Sequence, residues 1–167
     1  MQMKKALKVS AVLSWINMII FGIVVLVALL GALVVHSAAI LVGAFLASTV
    51  LLHSYAALQL HKSIRDLSIP LSSQTPVGIR FIGFIASFMG AMQIADGFVC
   101  LADTKEMLPL LISQSTQSAQ LSQPVLMATL RVTGVIVLLL GLSVCTNVTL
   151  NFRLLRWYQF MQKEENN

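Results

Sequence analysis

The sequence predicts an all-α polytopic membrane protein: an antiparallel bundle of four transmembrane helices with both termini in the cytoplasm (N-in/C-in). Three observations predict it. Four long apolar runs, at about 12–35, 38–60, 77–101 and 125–150, fill most of the 167 residues. Each reaches the roughly 20 residues that a helix needs to cross a hydrocarbon core. The chain is 57% hydrophobic and 10% charged, with mean hydropathy +0.88, whereas a soluble domain carries about 25% charged residues. Finally, the charges lie in the gaps and the basic ones share a side. Lys4, Lys5 and Lys8 precede span 1, Lys62, Arg65 and Arg80 flank the 61–76 connection, and Arg153, Arg156 and Lys163 follow span 4. The opposite side carries Lys105 beside Asp103 and Glu106. Cytoplasmic segments collect Lys and Arg, which sets this orientation. Residues 1–167 read as a single membrane domain, because no stretch between the runs is long enough for a soluble one.

Span 1 starts near Lys4, so its basic first turns stand among the cytoplasmic headgroups, with Trp15 at the inner interface. Its apolar run exceeds the 7–15 residues, roughly, of a cleaved signal and reads as a retained anchor. His36-Ser37 alone separates it from span 2, which demands a tight antiparallel hairpin. Span 2 extends as a helix to about Leu67, and Pro70 ends it. Thr75-Pro76 reads as an N-cap followed by proline at the first helical position of span 3. Ser122-Gln123-Pro124 opens span 4 in a similar way, and that helix continues toward Gln162, with Trp157 and Tyr158 as inner-face anchors. The outer loop, 102–123, carries the apolar patch Met107–Ile112 and a Ser/Gln-rich second half. It reads as a connector or, alternatively, as a lid or partner-binding segment.

Packing signals follow. Lipid tails give apolar helices no hydrophobic reason to associate, so small residues that allow close backbone approach supply the contact. Gly83, Gly90 and Gly97 recur every seven residues in span 3, and Gly134 and Gly141 repeat the spacing in span 4. A period of seven predicts near-parallel, left-handed packing seams. Gly43, Ala44, Ala47 and Ser48 add small residues to span 2.

Two charges fall within the spans. Asp96 lies about one turn from the outer end of span 3, and Arg131 about two turns inside that of span 4. A lone charge at such depth costs roughly 2.5–3.5 kcal/mol. The matching depths predict an Asp96–Arg131 pair with Gln93 one turn below. That pair is either a structural tie between spans or an ion, proton or ligand site. A second polar layer nearer the inner face holds Asn17, His53 and Asn147, with Asn151 one turn further along. It reads as interhelical hydrogen bonding or as a proton relay around a small polar cavity.

No catalytic, metal or nucleotide motif is present, and no cofactor is expected. His36, His53 and His61 all belong to one helix or its start, so two of them cannot face each other across a haem within one monomer. His61, among Lys62 and Arg65, reads as an interfacial side chain. Cys100 and Cys145 lie near opposite faces, which argues against an internal disulfide. The Asn147-Val148-Thr149 sequon lies inside a span and carries no glycan.

The segment leading into span 3, with Pro70, Ser72, Thr75, Arg80, Ile82 and Gly83, resembles the YoaS-like small four-span bacterial membrane proteins of unknown function. The resemblance implies the same topology and a bacterial cytoplasmic (inner) membrane, and implies no reaction. The expected function is therefore non-enzymatic: an accessory, sensor or structural subunit acting through a partner. A small oligomeric channel or transporter with a polar site at Asp96 and Arg131 is the alternative. The expected partners are the lipid bilayer and either another membrane protein or further copies of the chain, and not nucleic acid. The basic residues answer to anionic headgroups or to an acidic cytosolic partner.

Overall fold

A computed structural model of the chain describes residues 2–66, 69, 71–72, 74–103 and 122–165. The Met107–Ile112 patch, Ser113–Leu121, Pro70 and the last two residues lie outside these. Four helices make up the described chain: α1 Gln2–Val35, α2 Ala38–Arg65, α3 Thr75–Ala102 and α4 Gln123–Glu165. All four are long and apolar enough to cross a membrane. α4 has 43 residues, so at about 1.5 Å per residue it outruns a 30 Å hydrocarbon core by many turns.

The helix ends follow local chemistry. α1 stops where His36 takes a positive φ of 53°, a left-handed conformation that closes a helix, and its amide still bonds Ala32 carbonyl at 2.9 Å. Ser37 is extended and leads directly into α2, giving the two-residue hairpin that the sequence demands. α2 ends at Arg65, where Asp66 caps it by bonding its amide to Lys62 carbonyl at 3.0 Å. α3 begins one residue earlier than expected. Gln74 carbonyl accepts the first helical bond, from Gly78 at 2.9 Å, and Thr75 is already helical. At α4 the Ser122 carbonyl accepts from Val125 and Leu126, with Pro124 in the first turn, where its missing N–H costs nothing.

The chain forms two compact units. The first comprises residues 1–89 and 143–167 and contains all of α1 and α2 with the first half of α3 and the second half of α4. Leu60, Ile79, Leu154, Leu155 and Tyr158 form a buried cluster there, with Met3, Leu7, Ile64 and Leu71 packed on it. That cluster gathers the start of α1, the end of α2, the start of α3 and the far end of α4. A second cluster, further along the helices, joins Phe21, Ala47, Val50, Ala86, Val144 and Val148. Outside these clusters the helices expose large apolar side chains, including Leu33, Val34, Phe45, Phe81 and Phe84. A helix that is apolar around its whole circumference suits a bilayer.

The second unit, residues 90–142, pairs the end of α3 with the start of α4. Its seam is made of the spaced glycines. A Cβ built on Gly97 would fall 2.7 Å from Leu138 Cβ and 2.9 Å from Gly134 carbonyl. One on Gly141 would fall 2.6 Å from Gly90 carbonyl. Gly97 therefore meets Gly134, and Gly90 meets Gly141, backbone against backbone. Gly43 of α2 and Gly31 of α1 face open space, so neither belongs to a seam.

Candidate functional site

The polar residues of the first unit line the inside of the bundle in three stripes. On α1, Ser10, Ser14 and Asn17 recur at helical spacing. On α4, Ser143, Asn147 and Asn151 do the same, and α2 contributes His53 and His61. All of these except part-buried Ser143 are buried to 3% exposure or less. Burying a polar group without a partner costs free energy, so such stripes hold together by bonding each other.

They do so in two groups. Ser10 Oγ donates to Asn151 Oδ1 at 2.7 Å, and Ser14 Oγ donates to Asn147 Oδ1 at 3.1 Å. Asn151 Nδ2 donates to Asn147 Oδ1 at 3.1 Å. His61 Nε2 lies 3.0 Å from Asn151 Oδ1 and 3.2 Å from Ser10 Oγ. An amide oxygen only accepts, so the His61 proton sits on Nε2, leaving Nδ1 bare and without a partner among the described residues. Further along, Ser143 Oγ donates to Asn17 Oδ1 at 2.9 Å, while Asn17 Nδ2 has no partner among the described residues.

His53 stands apart from both groups. Neither ring nitrogen makes a hydrogen bond of good geometry among the described residues, and the Ile79 backbone makes a weak polar contact with the ring. The ring meets Phe152 edge-on, centroids 6.3 Å apart, and both press on Gly83. A Cβ at Gly83 would come within 2.8 Å of Phe152 Cε1 and 2.9 Å of His53 Cε1. In the Arg-x-Ile-Gly segment, then, Gly83 makes room for the two rings, while Arg80 donates a 2.8 Å bond from Nη2 to Gln159 Oε1 on α4.

The structure sorts the expected site residues as follows. Asn147 joins Asn151 in one group, Asn17 enters another with Ser143, and His53 bonds neither. The sequence reading missed Ser10, Ser14 and Ser143, although the spacings 10–14–17 and 143–147–151 carry the signal. His61 is corrected: it is buried within the polar group, because helical rotation turns it inward while Lys62 and Arg65 stay exposed. Tyr158 is likewise a core residue, its hydroxyl accepting from Gln162 Nε2 at 2.8 Å.

In the second unit, Asp96 and Arg131 are both exposed, and among the described residues no hydrogen bond or ion pair joins them. Geometry explains why. With about 100° of rotation per residue, Asp96 lies about 100° from Gly97 in one sense. Arg131, three residues before Gly134, lies about 60° from it in the other sense. Across an antiparallel seam these rotations place the charges on opposite flanks. Gln93 is part-buried, and its Oε1 has no partner among the described residues. No group of three or more His, Cys, Asp or Glu side chains able to hold a metal occurs among the described residues, and no disulfide joins Cys100 to Cys145.

No family model, curated protein or solved structure matches this chain.

Proposed function

We propose that this chain is a four-span, N-in/C-in membrane protein without catalytic activity, an accessory, sensor or structural subunit that works through a partner. The observation that carries this reading is where the polar groups point. In the first unit the serines, asparagines and His61 are bonded mainly to one another, and the apolar cluster of Phe21, Val50 and Val144 lies next along the helices. Groups tied together in this way key α1, α2 and α4 into one register and, among the described residues, leave no convergent acid, base or nucleophile for a reaction. The exposed charges of Asp96 and Arg131, placed at span depth, favour a partner that covers them. The gathering of both chain ends with the α2–α3 connection agrees with one basic face in the cytoplasm. Localisation to a bacterial cytoplasmic membrane belongs to the same proposal and rests on the resemblance of the segment around Arg80 and Gly83.

Extraction in mild detergent followed by composition analysis tests this reading. A stoichiometric second protein supports it. A symmetric homo-oligomer favours the small channel or transporter, in which several copies would supply the conduit.

A further inference from the structure

We propose that the first unit carries a binding site for an anionic phospholipid of the inner leaflet, in the groove that Lys4, Lys8 and Arg65 border. This rests on the membrane reading above and adds a specific ligand to it. The groove is about 740 Å³ and lies among α1, α2 and α4. Its rim is cationic through Lys4 and Lys8, one turn apart on α1, and Arg65 at the end of α2. Its floor is apolar, with Leu7, Ile64, Leu154 and Trp157.

Lys8 and Arg65 also border a second groove of about 460 Å³ that runs on over Ala11, Val12, Trp15 and Ile16. A third, of about 230 Å³, adds Lys62, Tyr55 and Leu58 on the α2 side. Among the described residues no carboxylate lines any of the three, Asp66 next to Arg65 included. Four cations at one end therefore open onto an apolar track down α1, where Val12, Ile16, Ile19 and Ile23 are all exposed.

Only a molecule with an anionic head and a long apolar tail matches both ends of this surface. An acidic peptide would satisfy the rim and leave the track bare, and a neutral lipid would do the reverse. Basic clefts between helices at the cytoplasmic face suit phosphate headgroups for this reason. Arg65 supplies the planar fork that holds a phosphate by two bonds, and the lysines supply point charges.

The chain has two tryptophans, Trp15 and Trp157, and both line these grooves. The full chain is reconstituted into phosphatidylcholine vesicles containing a small fraction of lipid with brominated tails, which quench nearby tryptophan. Brominated phosphatidylglycerol should quench more strongly than brominated phosphatidylcholine at equal fraction. Lys8→Gln with Arg65→Gln should lower that preference about tenfold or more, since each cation near the headgroups is worth several-fold. Arg153→Gln with Lys163→Gln, outside the grooves, should leave it unchanged. Equal quenching by the two lipids overturns the proposal, as does equal loss in both double variants. Relief of quenching by an excess of a polyglutamate peptide also overturns it, in favour of an acidic protein partner. A chain that washes off the vesicles at alkaline pH would instead sink the membrane reading itself. Should the Gln variants fail to fold, Lys4→Arg with Lys8→Arg keeps the charges and the Arg65 fork and must preserve the preference, and its loss there counts against the site.

Discussion

Ser10 on α1 and Asn151 on α4 are 141 residues apart in sequence and joined by a 2.7 Å hydrogen bond, with both side chains fully buried. His61 of α2 reaches the same oxygen, so one amide ties three helices. Ser10→Ala should lower stability in detergent by about 1 kcal/mol. Asn151→Leu should lose more, because Ser10 and His61 then keep only longer bonds, Ser10 Oγ to Asn147 Oδ1 at 3.3 Å and His61 Nε2 to Ser10 Oγ at 3.2 Å. The two losses should fall short of their sum in the double variant. Strict additivity in reversible unfolding would mean that the bond contributes nothing.

The glycine seam makes a sharper prediction. Gly97→Ala and Gly141→Ala each place a methyl against backbone, where the partner helix cannot step aside. Each should cost about 1–3 kcal/mol. Gly31→Ala and Gly43→Ala, with open space around them, should be neutral. Thermal stability of the four variants in one detergent decides the matter, and equal behaviour would remove the seam.

His53 should be replaceable. Its nitrogens make no hydrogen bond of good geometry among the described residues, so exchanging them for carbon removes a desolvation penalty and only a weak contact with the Ile79 backbone. His53→Leu should therefore match or exceed the parent in stability, while Gly83→Ala should fall below it, since the new methyl meets two rings. A large loss in His53→Leu would point to a bonded role for the ring.

The four helices were legible because length and hydropathy are one-dimensional properties. Their ends were legible to within a few residues because His36-Ser37, Thr75-Pro76 and Ser122 act through local backbone chemistry. Part of the seam could be read from the seven-residue glycine spacing: Gly90 and Gly97 meet Gly141 and Gly134, whereas Gly83, expected in the same seam, meets the His53 and Phe152 rings instead. The polar site was only partly legible. Depth along a helix follows from residue number, but the direction a side chain takes toward a neighbour follows from packing. Asn17, His53 and Asn147 share a depth, yet they have different partners or none. Asp96 and Arg131 stand on opposite flanks, and the contact of Gly97 with Gly134 and Leu138 sets them about a turn or more apart along the seam, not at the matching depth expected. Small serines such as Ser10 carry too little hydropathy signal to stand out, although they supply the donors.

That separation yields a further prediction. Asp96→Asn and Arg131→Gln should act independently, with stability effects that add to within about 0.5 kcal/mol in the isolated chain. Both should weaken retention of the co-purifying partner. Recovery in the double variant would show instead that the two charges pair within one chain.

The most direct measurement of the central claim is sidedness. Cys100 and Cys145 are first replaced by alanine, and single cysteines are placed at Lys5, His36, Ser72 and Lys163. A membrane-impermeant maleimide is then applied to intact cells. His36→Cys should label at once, and the other three only after permeabilisation. Labelling of His36→Cys from the same side as Lys5→Cys, Ser72→Cys and Lys163→Cys would contradict a four-span, N-in/C-in protein.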